Sequence, residues 1–193
     1  MEEAIEVTLR ITRVLERLGV DYLVGGSLAS SLYGHPRSTQ DVDVVADLHA
    51  EHVTPLVAAL RDDFYLDEPA IRDAVKRRST FNVIHLGTLF KADVFVAGDQ
   101  PSTRRELQRR QAFLLDIDPP EEIIVASPED LVVQKLYWYQ LGDRISDRQW
   151  GDVMGVLATR GKWLDVDYMR DLAEEMGVSD LLVRALEEAR LEA

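Results

Sequence analysis

The chain of 193 residues contains no cysteine. Disulfides and thiolate metal sites are therefore excluded, and any metal must be held by oxygen or histidine. Histidine is also scarce, at four residues, so oxygen is the expected donor. Cations are in deficit: 22 lysines and arginines stand against 35 aspartates and glutamates, for a net charge of -13. That balance argues against a general affinity for nucleic acid, which needs a positive surface. Two dense runs, "AVKRRST" and "STRRELQRRQ", read either as local basic patches or as solvated helix faces. No apolar run approaches the ~18 residues of a membrane span. The first twenty residues form an amphipathic pattern without the apolar block of a signal peptide. The expectation is a cytoplasmic protein that does not engage a membrane.

What remains is an ordinary globular composition, 46% hydrophobic and 30% charged, enough for one domain with a small appendage. Ile5, Leu9, Ile11, Val14, Leu15 and Leu18 recur at helical spacing, and Gly19 stops that helix. "DYLVGG" reads as a strand ending in a glycine turn, with Ser27 at the N-cap of the next helix. "DVDVVAD" is a valine-rich strand, and "HVTPLVAALRDD" a helix with Pro55 near its first turn. "FYLD", "PAIRDAVKRR" and the hairpin "TFNVIHLGTLFKADVFV" come next, then a helix at "RRELQRRQ" and strands at "AFLLDI" and "EEIIVAS". From Ser127 the pattern turns helical. Ser127, Pro128 and two acidic residues open "SPEDLVVQKLYWYQLG" with start signals, and three more helical segments succeed it. The expected organisation is an α/β front over 1–126 and a helical back over 127–193.

The stretch "VGGSLASSLYGHPRSTQDVDVV" carries the densest chemistry. Residues two apart in a strand share a face, so Asp41 and Asp43 project together. Two carboxylates this close repel unless a cation lies between them or one is protonated. A hard divalent cation such as Mg²⁺, or a pairing of one aspartate with Arg37, would resolve this. Gly25, Gly26 and Ser27 end one strand and open a helix, which suits close approach to a phosphate and equally suits a tight turn. Asp93 sits in another apolar strand, either as a third carboxylate or as a partner of Lys91. Three aspartates on neighbouring strands suit a two-metal site for phosphoryl chemistry, with Asp93 able to accept the proton of an incoming hydroxyl. Lys135 falls in the middle of an apolar helix face, where it must snorkel or meet an anion. Arg148 and Asp152 are four apart and can pair within a helix. Trp138, Tyr137 and Tyr139 read as core or cleft lining. His35 and His85 have no partner at metal-ligand spacing, and Thr39 reads as a brace for the loop before the aspartate strand.

Gly-Gly-Ser on a strand–helix turn, Asp-x-Asp on the next strand and a later strand aspartate resemble the nucleotidyltransferase superfamily of DNA polymerase β type. The longer form, with Lys135 and Asp152 on later helices, is similar to its branch of AbiEii-type toxins, which includes the MenT enzymes. Where the rear motif of that branch often carries a second aspartate, this chain has Gly155. The resemblance implies an α/β (α+β) fold, with a mixed sheet and flanking helices, followed by a C-terminal helical bundle closing the cleft. It implies an enzyme dependent on Mg²⁺, with Mn²⁺ as the alternative ion, that moves an NMP from an NTP to an acceptor hydroxyl with release of pyrophosphate. Asp41, Asp43 and Asp93 would hold metal; Gly25, Gly26, Ser27, Arg37, Lys135 and Asp152 would contact the nucleotide. The acceptor stays open between tRNA, protein and small molecule, and a small antitoxin-like partner protein is an expected associate. Two alternatives stand beside this reading. One is a catalytically silent nucleotide-binding or protein-interaction module; the other is a structural α/β protein whose aspartates pair with basic side chains.

Overall fold

Apolar residues at three- and four-residue spacing make the first helix, α1 (Glu2–Arg17), and bury Val7, Ile11, Val14 and Leu15. Gly19, at φ 68, ends it in the left-handed conformation that glycine adopts without strain. The computed structural model describes residues 2–191. After α1 come β1 (Tyr22–Val24), α2 (Gly26–Tyr33), β2 (Asp41–Ala46), α3 (Ala50–Leu60), β3 (Phe64–Tyr65) and α4 (Glu68–Arg77). The next elements are β4 (Thr80–His85), β5 (Lys91–Val96), α5 (Pro101–Arg109), β6 (Gln111–Leu115) and β7 (Glu121–Val125). The rest is helical: α6 (Pro128–Leu141), α7 (Asp147–Arg160), a single 3₁₀ turn (Gly161–Trp163), α8 (Val166–Glu175) and α9 (Ser179–Glu188).

The strands form one mixed sheet in the order β3-β4-β5-β2-β1-β7-β6. β2 runs parallel to β5 and antiparallel to β1, and β1 runs parallel to β7. The pairs β3–β4, β4–β5 and β6–β7 are antiparallel. Alternation sets the faces. Val42, Val44 and Ala46 of β2 and Ala92, Val94 and Val96 of β5 are all buried, while Asp41, Asp43, Lys91 and Asp93 occupy the intervening half-buried positions. α1 packs on β2 and α4 on β4.

The chain forms two compact units. One comprises Ser38–Ala126 with the residues before Ala29; the other comprises Ala29–Arg37 with the residues from Ser127 onward. The sequence pattern assigns 29–37 to the front. They cluster with the back unit because Gly34 seats on α7, where a Cβ at Gly34 would lie 2.8 Å from the Gly155 carbonyl carbon. Gly155 thus serves a close backbone approach at the place where related motifs carry an aspartate. Three local expectations shift. α2 begins at Gly26, so Ser27 lies in its first turn and not at the N-cap. Pro55 lies inside α3 beyond its first turn, where it removes one hydrogen bond to Glu51. Trp138 is 53% exposed and so is not part of the core, whereas Tyr139 is buried.

The start of α6 is as the sequence reads. Ser127 is fully buried, its side chain accepts from the Asp130 amide at 3.1 Å, and its hydroxyl donates to Asp130 Oδ2 at 2.6 Å. Tyr168 of α8 donates to the other Asp130 oxygen, and Glu129 accepts from the Asp165 amide at 3.1 Å. The acidic first turn is therefore also the clamp between α6 and α8. Ser127→Ala removes the cap and one donor to Asp130. It is expected to lower stability by about 1–2 kcal/mol and Tm by about 2–4 °C for each kcal/mol. An unchanged melting temperature would refute this account of the helix start.

Candidate functional site

The period-two geometry of β2 puts Asp41 and Asp43 on one face, as the sequence requires. The sheet topology adds what the sequence could not. In the parallel register of β2 and β5, Asp41 stands opposite Lys91 and Asp43 opposite Asp93, and β4 places Asn82 opposite Asp93. Three carboxylates and one ammonium thus share a patch of sheet on strands about 4.8 Å apart. Lys91 Nζ donates to Asp93 Oδ2 at 2.7 Å, and Asn82 Nδ2 donates to Asp93 Oδ1. The hydrogen bond to Asp93 raises the Lys91 pKa; burial opposes it, and the charges of Asp93, Asp41 and Asp43 add to it. The Thr39 hydroxyl donates to the Asp41 carbonyl at 2.9 Å, with Asp41 Oδ1 3.2 Å away, which makes it the brace expected of it.

The glycine turn meets the same patch. The Gly25 amide donates to the Asp43 carbonyl at 2.9 Å. Gly26 has φ 58, and a Cβ there would fall 1.8 Å from Asp43 Oδ2. Only glycine allows both the backbone angle and the approach of the first turn of α2 to that carboxylate. The donor chemistry, carboxylate oxygens on one sheet face, is what a hard divalent cation takes. As placed, the side chains are not drawn into a ligand shell. Among the described residues no group of three or more histidine, aspartate or glutamate side chains stands in ligating geometry. Asp93 is engaged by Lys91 and Asn82, the pairing the sequence offered as the plainer role of this aspartate.

The helical unit holds a second polar cluster. Lys135 does not snorkel: its side chain is 6% exposed, and Nζ donates to Asp152 Oδ2 at 2.8 Å. Arg37 grips the same carboxylate with two nitrogens, Nε to Oδ1 at 2.8 Å and Nη2 to Oδ2 at 2.9 Å. Arg37 is thus a partner of Asp152, and the Arg148–Asp152 helix pair does not form. Burial pushes the Asp152 carboxyl up, but the hydrogen bonds and charges of Arg37 and Lys135 outweigh it and hold its pKa below the usual range. Beside this cluster lies a cavity of about 220 Å³ lined by Ser30, His35, Pro36, Arg37, Asp147, Arg148, Gly151 and Asp152. Of these, sequence reasoning gave a site role only to Arg37 and Asp152, and it missed the place of the other lining residues. Asn82 was also missed, although the polar alternation Thr80, Asn82 in β4 placed it on the same face as Asp93.

Asp152→Asn keeps the shape of the cluster but removes the charge on which the buried Lys135 ammonium and the Arg37 guanidinium converge. It is expected to cost about 3–5 kcal/mol. The depressed pKa fixes the sign with pH. The pair contributes its full stability above the unfolded aspartate value of about 3.9 and loses it as pH falls through the lower folded value. Urea unfolding between neutral and acid pH should therefore show a large gap between wild type and variant that narrows on acidification. A gap independent of pH would refute the assignment.

No protein-family model matches the chain, and no curated protein is significantly similar to it. Solved structures are similar in fold. An antigenic nucleotidyltransferase-like protein from Paracoccidioides brasiliensis superposes with a TM-score of 0.56 at 18% identity, covering 96% of this chain and 93% of that one. The antibiotic-resistance factor ANT(2'')-Ia gives 0.52 at 13% identity, with 96% and 95% covered. The lincosamide antibiotic adenylyltransferase LnuA, solved with lincomycin bound, gives 0.50 at 15% identity, with 81% and 96% covered. At these identities the likeness is one of architecture: the mixed seven-stranded sheet and the helices after it are a nucleotidyltransferase-like fold.

Proposed function

We propose that the protein is a Mg²⁺-dependent nucleotidyltransferase that moves an NMP from an NTP to an acceptor hydroxyl and releases pyrophosphate. The observation that carries this reading is the registered carboxylate face, Asp41 and Asp43 on β2 beside Asp93 on β5, with the Gly26 turn set against Asp43. Asp41, Asp43 and Asp93 would hold the ion. When bound, Mg²⁺ supplies charge neutralisation for the triphosphate and lowers the pKa of the attacking hydroxyl. Gly25, Gly26 and Ser27 bring backbone close enough to hold phosphate oxygens. Asp93, kept in orientation by Asn82, takes the hydroxyl proton on a carboxylate lone pair that the ion leaves free, as the acceptor oxygen bonds to the α-phosphorus and the bond to pyrophosphate breaks. In the helical unit, Arg37 and Lys135 converge on Asp152, and we assign this cluster to an anionic group of the nucleotide. Arg37 is the residue we assign to that contact, with Lys135 and Asp152 fixing its guanidinium. The finer likeness to AbiEii-type toxins, and with it an antitoxin-like partner, rests on the stretch "GGSLASSLYGHPRSTQDVDVV" together with Lys135 and Asp152.

For the acceptor we favour a small molecule over RNA. Four of the six arginines in the two basic runs pair with the chain's own carboxylates: Arg77 with Asp73, Arg78 and Arg104 with Asp47, Arg104 also with Asp99, and Arg110 with Asp21. That leaves little cationic surface for a phosphate backbone on a chain of net charge -13. The proteins of similar fold include a lincosamide antibiotic adenylyltransferase, which supports the same choice. A second reading, a nucleotide-binding module without turnover, draws on the Lys91–Asp93 ion pair, which occupies the oxygen that a catalytic base needs.

Nucleotidyl transfer from labelled NTPs with Mg²⁺ to a panel of hydroxyl-bearing small molecules and to tRNA tests the proposal. Wild type should transfer label. Asp41→Asn, Asp43→Asn and Asp93→Asn should each lose about 10²-fold or more. Undiminished transfer by the three variants would sink the assignment, and NTP binding without turnover would favour the module.

A further inference from the structure

The carboxylate face has to be stable before any metal reaches it, and Lys91 brings a cation to it. We propose that the Lys91 ammonium is the resident counter-cation of the Asp41–Asp43–Asp93 face, and that a divalent ion binds by displacing it from Asp93 Oδ2. This inference rests on the nucleotidyltransferase reading of the same face.

Position comes first. Lys91 lies in β5 two residues before Asp93, so both side chains share one face, and its register partner across the parallel pair is Asp41. The ammonium therefore originates among the three carboxylates and reaches Asp93 Oδ2 at 2.7 Å. The two oxygens of Asp93 are divided. Oδ1 accepts from the neutral amide of Asn82, and Oδ2 from the charged ammonium. A cation arriving at Oδ2 leaves the Asn82 hydrogen bond intact, so Asp93 keeps its orientation through the exchange. Asn82 is the positioning residue and Lys91 the placeholder.

The choice of side chain fits displacement. A lysine is a single charge on a flexible four-carbon stem, able to swing away, whereas an arginine would lock a carboxylate bidentately. The Lys91 side chain is 42% exposed, which gives its ammonium a path to water. The lysine–aspartate pair of the helical unit shows the contrast. Lys135 and Asp152 are as close, at 2.8 Å, but both side chains are under 10% exposed and Asp152 is also gripped by Arg37. One pair is built to stay closed, and the other to open. The ion and the ammonium then compete for the same oxygen, so Lys91 weakens metal binding while it steadies the metal-free fold.

The experiment measures Mn²⁺ binding to the full chain by electron paramagnetic resonance and Lys91 accessibility by reductive methylation with mass spectrometry. Lys91→Met should bind Mn²⁺ about tenfold more tightly than wild type, a change of about 1.4 kcal/mol, and Lys91→Arg should not. Unliganded Lys91→Met should melt lower than wild type and gain more on adding Mn²⁺. In the wild-type protein, which needs no substitution to fold, saturating Mg²⁺ should raise the methylation rate of Lys91 and leave that of Lys135 unchanged. Equal or weaker Mn²⁺ binding by Lys91→Met, or Lys91 labelling insensitive to Mg²⁺ in a protein that binds Mn²⁺, overturns the role of Lys91 and leaves the metal site standing. If neither wild type nor Lys91→Met binds Mn²⁺, the metal-dependent function falls together with this inference.

Discussion

Like charges on one face of a sheet are the constraint around which the front of this protein is organised. A parallel pair of strands holds registered side chains only about 4.8 Å apart, and Asp43 and Asp93 are registered on β2 and β5. The alternate positions Val42, Val44, Ala92 and Val94 are buried in the core, so the charges gather on the other face. The repulsion is contained by local arrangements: the Lys91 ammonium, the Asn82 amide, the Thr39 hydroxyl near Asp41 and the glycine turn against Asp43. Each sits on a different element. The sheet order, with β5 between β4 and β2, brings the β4 and β5 contributors to the carboxylates of β2.

The helical unit solves the opposite problem. There a lysine lies in an apolar helix face, and a buried ammonium is tolerable only with a carboxylate beside it. Asp152 is that carboxylate, and its second oxygen fixes the Arg37 guanidinium. The close seat of Gly34 on Gly155 and the Thr159 hydroxyl donated to the Tyr33 carbonyl tie the segment carrying Arg37 to α7, which carries Asp152. A small residue at position 155 is therefore required by packing.

Features governed by local rules were legible in the sequence. Strand period puts Asp41 and Asp43 on one face, start signals mark α6 at Ser127, and apolar spacing isolates Lys135 on its helix. Pairings that depend on topology were beyond it. That Asp93 stands beside Asp43 requires knowing that β5, the second strand of a hairpin, inserts as the parallel neighbour of β2. Asp152 illustrates the same limit: its helix neighbour Arg148 was the obvious partner, yet residues 115 and 17 positions away take the carboxylate. The Ser27 and Pro55 shifts are smaller, a matter of one turn, where capping preference yields to the Gly26 backbone angle and to tertiary packing.

The central claim is that the three aspartates form one cation site that serves a nucleoside triphosphate. Crystals grown with Mn²⁺ and a non-hydrolysable NTP analogue, measured for anomalous scattering at the manganese edge, test it most directly. The expected result is an anomalous peak bridging the carboxylates of Asp41, Asp43 and Asp93 and the analogue's phosphates, with the Lys91 ammonium withdrawn from Asp93. An analogue bound elsewhere, or bound with no manganese at these carboxylates, would contradict it.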